Sequence, residues 1–188
     1  MSLQINAVCK SAFFHLRNIA RIRKFLSFST TEILIHAFVT SKVDSYNALL
    51  FGLPKYELKK LQSVLNAAAR LLTFTRKFEH ISPVLRELHW LPVEKRIQFK
   101  ILLLAFKGLH GLAPGYISDI LQRYVPTRTL RSSRTVLLKP VGYHLKTYGY
   151  RAFTVAAPFL WNKLPLDIRQ TESFTIFKYK PKTYLFNL

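Results

Sequence analysis

Acidic residues are scarce in this 188-residue chain. There are nine, against 29 lysines and arginines, which leaves a formal charge of +20 and a pI near 10.4. Such a surplus repels itself in a compact state, so a polyanion is its natural partner. A solvated cationic surface, or a piece of a larger and more neutral protein, would carry the same surplus. The three aspartates, Asp44, Asp119 and Asp167, lie far apart, and no two are adjacent. A two-metal phosphoryl-transfer site gathers carboxylates around ions about 3.5–4 Å apart, and this chain could build one only by distant convergence. Cysteine is represented by Cys9 alone, which excludes a disulfide framework and any zinc ribbon or knuckle, and a reduced intracellular compartment, cytoplasmic or nuclear, is expected.

Long apolar runs are missing too. The run Ile101–Phe106 holds six residues, far short of the roughly 20 that cross a bilayer, so no membrane partner is expected and the run reads as core. The opening "MSLQINAVCKS" lacks the apolar block of a secretory signal. No Gly-rich phosphate loop, serine nucleophile elbow or His-Glu-x-x-His helix occurs, so no cofactor and no metal are expected. No internal repeat or low-complexity tract is visible.

What is present is a foldable chain, 49% hydrophobic, with apolar spacing of helical period. Residues 5–24 read as an amphipathic helix, with Ile5, Val8, Ala12, Leu16 and Ile19 at three- and four-residue steps. Ser29 with Glu32 has capping-box spacing for an element closed by Gly52. Pro54 opens a third helix whose apolar face holds Leu58, Leu61, Leu65 and Ala68 or Ala69. A short helix over residues 82–88 precedes a long one from Pro92 to Gly108 or Gly111, nearly all apolar except for a stripe of Arg96, Lys100 and Lys107. Pro114 opens another short helix, to about Arg123.

After Tyr124 the texture becomes loop-like, with one short strand at most. A helix interrupted or bent at Pro158 follows, and then a last segment that Pro181 breaks. The fold expected is mainly α, in three parts. Residues 1–75 form a three-helix, thumb-like bundle, residues 76–124 a second helical unit, and residues 125–188 a basic, loop-rich C-terminal segment ending in short helices.

Histidine chemistry needs a positioned partner, and neither His89 nor His110 has an acid or cysteine at triad or ligand spacing. Trp90 and Trp161, both near prolines, read as core anchors. The basic residues give the positive signals. Lys10, Arg17, Arg21 and Lys24 form one stripe of the first helix, and Arg128, Arg131 and Arg134 recur every third residue with Ser132 and Ser133 between them. Phosphate contacts use these side chains. Tyr143, Tyr148 and Tyr150 interleave with Lys146 and Arg151, a mixture suited to stacking plus charge. Nothing suggests base-specific readout.

Three stretches carry a family resemblance: "AFVTSKVDSYNALLFGLPKYELKKLQSVLNAAARLLTFTRKFEHISPVL", "LHWLPVEKRIQFKILLLAFKGLHGLAPGYISDIL" and "RAFTVAAPFLWNKLP". In order and spacing, over nearly the whole chain, the sequence resembles the C-terminal, thumb and post-thumb region of jockey-like, LINE-type (non-LTR) retrotransposon reverse transcriptases. The resemblance implies descent from an RNA-directed DNA polymerase, and as partners an RNA or DNA backbone, an RNA–DNA hybrid, and the palm and fingers of the parent enzyme. Asp44, Asn47, Leu49, Leu50, Gly52 and Pro54 match the family's pattern between two thumb helices, whereas Ser45 and Tyr46 depart from its aromatic-then-cysteine order. Pro181 falls where relatives continue a basic helix. The palm's aspartate pair is absent, so the chain alone is expected to be a non-catalytic piece of a polymerase that binds template–primer without sequence preference. The alternative is a stand-alone, domesticated module that binds nucleic acid or protein.

Overall fold

The computed structural model describes residues 1–126, 136–145 and 148–187. Among these the regular structure is helical, and the β pairing is an isolated antiparallel bridge between Arg123 and Leu138. The protein is mainly α-helical, as the spacing of its apolar residues requires. Two compact units form, one from residues 1–47 and 53–96, the other from residues 48–52 and 97–188. These units cut the chain at other points than the compositional segments 1–75, 76–124 and 125–188.

In the first unit, α1 (Ser2–Ile22) buries Ile5, Ala12, Leu16 and Ile19 and ends in a 3-10 turn, Arg23–Phe25. The next helix, α2 (Phe28–Ile35), is capped by Ser27, whose Oγ accepts from the Thr30 amide at 3.1 Å. The cap expected at Ser29 is therefore two residues late. Ser27 has the extended backbone a cap needs, and its carbonyl also accepts the Thr31 hydroxyl at 2.8 Å.

A π-turn, His36–Thr40, carries the path from α2 into α3 (Ser41–Asp44). Its extra residue lets two neighbours, Val39 and Thr40, both face the core. The path breaks at Tyr46, which is left-handed at φ +61°, and resumes as a 3-10 turn, Asn47–Leu50. The element expected from Ser29 to Gly52 is thus a broken path rather than one helix. Asp44 anchors its end by accepting from the Asn47 side-chain Nδ2 at 2.9 Å and pairing with Arg96 at 2.6 Å.

Pro54 caps α4 (Lys55–Thr73), which packs along α1 and buries Leu61, Val64, Leu65, Ala68, Ala69 and Leu72. α5 (Ile81–Glu87) lies on α4, and Trp90, Leu91 and Val93 follow it into the core. Near the start of α4, Glu57 is buried, accepts Ser2 Oγ at 2.7 Å and pairs with Lys60 at 3.0 Å. The Ser2 and Lys60 bonds hold its carboxyl below the ordinary value of 4.5. A carboxylate with a depressed folded pKa contributes stability that is present above the unfolded value and lost as pH falls through the folded one. Melting temperature should therefore fall with acid below about pH 4.5 by less in Glu57→Gln than in the wild type. Parallel acid profiles would refute the role.

α6 (Val93–Leu109) starts in the first unit and continues into the second, where Ile97, Ile101, Leu102, Ala105 and Phe106 are buried. Of the run Ile101–Phe106 expected as core, these last four are buried, while Leu103 and Leu104 are half-buried. After it come α7 (Gly115–Asp119), α8 (Phe153–Trp161), α9 (Leu166–Arg169) and α10 (Phe174–Phe186). The break expected at Pro181 needs correction, because α10 runs through it, and at Pro158 helix α8 is not interrupted. An interior proline costs about 3 kcal/mol. Here both rings are buried, and Phe177, Pro181 and Leu185 form one apolar stripe at four-residue steps whose burial offsets that loss.

The second unit is centred on a column of rings. His110 stacks on Phe106 at 4.0 Å, Phe106 on Phe177 at 4.2 Å, and Phe177 on Trp161 at 5.6 Å. Gly52, at φ +71°, packs under Tyr150 and Arg151 of a 3-10 turn, Gly149–Arg151, and a Cβ there would come within 2.8 Å of the Arg151 side chain.

Candidate nucleic-acid interface

Residue placement on α1 follows from its period. With Ile5, Ala12, Leu16 and Ile19 turned inward, Lys10, Arg17 and Arg21 are left on the opposite side, and all three are exposed. Lys24 is exposed as well, but it stands in the 3-10 tail, with its ammonium 4.8 Å from the Phe25 ring centre. No acid precedes Glu32 in the chain. The ion pairs His36–Glu32, Lys60–Glu57 and Arg96–Asp44 lie elsewhere, and among the described residues no ion pair uses this stripe. The structure thus leaves Lys10, Arg17 and Arg21 on one accessible face of α1 with no carboxylate paired to them, and Lys24 exposed just beyond its end.

Arg128, Arg131 and Arg134 lie outside the described residues, as does Lys146. Of the aromatic candidates, Tyr143 and Tyr148 are exposed, while Tyr150 is half-buried against Phe51 and Tyr143. Arg151 is engaged within its own unit, donating to the Phe51 and Leu49 carbonyls, each at 3.1 Å. The α6 stripe divides in the same way. Arg96 pairs with Asp44 and donates to the Leu91 carbonyl at 2.9 Å, Lys107 sits 5.0 Å from the Phe174 ring centre, and Lys100 is exposed.

The histidines take no shared position. His89 is an exposed, left-handed residue at φ +53°, and His110 bonds the Phe106 carbonyl through Nδ1 at 2.9 Å. Burial pushes the half-buried Cys9 thiol up. Among the described residues no group of three or more His, Cys, Asp or Glu side chains stands close enough to hold a metal ion. No helix among them is long and apolar enough to cross a membrane. A cleft of about 400 Å³ lies between α4, α5 and the start of α6. Its Gln62 side chain is already engaged, accepting from the Val93 amide and donating to Asn66, both at 2.8 Å.

Three residues absent from the sequence-derived site border the α1 stripe. Phe14 is exposed between Lys10 and Arg17, the His15 ring meets it edge-on at 5.5 Å, and Phe38 stacks on His15 at 5.3 Å. The available signal was an aromatic on the polar side of an amphipathic helix. No family model, curated protein or solved structure matches the chain.

Proposed function

We propose that this chain is the thumb and post-thumb part of a LINE-type reverse transcriptase, and that its own activity is binding nucleic-acid backbones without sequence preference. The observation that supports the binding is the exposed α1 face of Lys10, Arg17 and Arg21, with Lys24 exposed just past the helix, none of them paired with a carboxylate among the described residues. The Asp44–Pro54 pattern and the stretches 88–121 and 151–165 support the family reading. The chain alone is assigned no polymerase activity, because its sequence holds no adjacent aspartate pair to carry the metals. RNA, single-stranded DNA and the hybrid duplex all present the required phosphates, and Arg128, Arg131 and Arg134 supply a second group of donors.

Filter binding across a salt series tests the reading. Each phosphate contact releases counterions, so six contacts lower affinity on the order of a thousandfold between 50 and 200 mM salt. Alanine at the four α1 positions should weaken binding about equally for unrelated sequences and flatten the log–log salt slope by about four. Alanine at the three arginines should flatten it by about three. Affinity indifferent to salt, or unmoved by all seven substitutions, overturns the reading.

A further inference from the structure

The rings beside the basic stripe narrow the partner. Phe14 follows Lys10 by four residues and precedes Arg17 by three and Arg21 by seven, so all four are neighbours on the helix surface. Phe14 is 54% exposed and Phe38, across the half-buried His15, is 45% exposed. Phe14, His15 and Phe38 therefore make a continuous aromatic row on the surface, at 5.5 and 5.3 Å between centres. The π-turn helps to build it, because with Val39 and Thr40 both turned into the core, Phe38 is left outside.

A contiguous apolar patch rimmed by polar groups marks an interaction surface, and here Lys10, Arg17 and Arg21 stand around its Phe14 end. The complementary partner carries repeated negative charge together with flat apolar faces. Duplex nucleic acid has the charge, but its base faces are hidden in the stack. An unpaired strand has both. From Lys10 to Arg21 the stripe extends about 16 Å along the helix axis, room for several successive phosphates.

We infer that the α1 face is a single-strand platform, on which unpaired bases of RNA or DNA stack on Phe14 and Phe38 while Lys10, Arg17 and Arg21 hold the phosphates. This rests on the nucleic-acid reading above and narrows it from any backbone to an unpaired one.

Fluorescence anisotropy of the full chain tests it, at one salt concentration, with a labelled dT20 strand, a U20 strand and a 20-base-pair DNA duplex. Both strands should bind at least tenfold more tightly than the duplex, and within a few-fold of each other, since base faces rather than 2′-hydroxyls are read. The pair Phe14→Ala and Phe38→Ala should weaken strand binding between about tenfold and a hundredfold, leaving duplex affinity, the salt slope and the melting temperature in place. Phe14→Tyr with Phe38→Tyr keeps the π faces and should restore tight strand binding. Salt-dependent binding that ignores both rings overturns the platform, assigns the aromatic row to another partner, and leaves the backbone reading standing. Absence of binding to every probe at low salt removes both.

Discussion

Replacing Trp161 by alanine should lower the unfolding free energy of the second unit by roughly 3–5 kcal/mol, the range for a buried large aromatic. The side chain is wholly buried and terminates the column formed with Phe177, Phe106 and His110. Its indole NH also donates to the Val136 carbonyl at 2.8 Å. Val136 is β-branched and left-handed at φ +46°, a conformation that costs on the order of 1 kcal/mol. That strain is held from one side by Trp161. From the other side, Asn162 brackets Leu138, accepting from its amide and donating to its carbonyl, both at 2.9 Å.

Trp161→Phe keeps most of the ring area and leaves the Val136 carbonyl without its donor. Its loss should be about 1–2 kcal/mol beyond the cost of the smaller ring. Urea denaturation followed by circular dichroism measures both. If alanine costs less than about 1 kcal/mol, the column is not what holds the second unit. The tryptophan was legible as a core anchor from its size and its neighbouring prolines. Asn162 was not, because a polar side chain that substitutes for a strand partner leaves no periodic trace.

Similar contrasts run through the fold. Helices α1, α4 and α6 were readable because their apolar residues repeat at three- and four-residue steps for four turns or more. The π-turn at His36–Thr40 was hidden, since one inserted residue changes neither composition nor charge. Ser27 and Ser29 are equally good caps by type, and only the extended backbone at Ser27 separates them. Pro181 reads as a break when local chemistry is weighed alone, yet its place between Phe177 and Leu185 puts the ring on a buried stripe. At the candidate interface, the α1 cations were legible because charge opposite an apolar stripe must face water. The aromatic row was missed, because a lone phenylalanine on the polar side of α1 carries no period and the link from Phe14 through His15 to Phe38 exists only in three dimensions.

Arg23 is the basic residue of this region that periodicity marks as different, and its removal should have the second large effect. It follows Ile19 by four residues and Leu16 by seven, so it continues the buried stripe of α1 rather than the exposed one. The side chain is only 6% exposed. Its guanidinium donates to the carbonyls of Leu72 at 3.0 Å, Leu71 at 3.3 Å and Leu26 at 2.9 Å, and lies 4.3 Å from the Phe74 ring centre. Leu71 and Leu72 belong to the last turn of α4, where carbonyls lack helical donors and the helix dipole favours a cation. The buried charge is thus satisfied by carbonyl oxygens at a helix end.

Arg23→Ala orphans those oxygens and should destabilise the first unit by about 3 kcal/mol, taking hydrogen bonds to charged groups as non-additive contributions of about 1.5–3 kcal/mol. Arg23→Lys keeps the charge but not the planar fork, so it should recover less than half of the loss. Arg21→Ala, two residues away and exposed, should change stability by about 0.5 kcal/mol or less. Nucleic-acid affinity should show the reverse order: under conditions where each variant is folded, Arg21→Ala weakens binding and Arg23→Ala does not. A common stability loss in both variants, or an affinity loss in Arg23→Ala alone, would reverse the assignment of Arg23 to the α4 cap and Arg21 to phosphate.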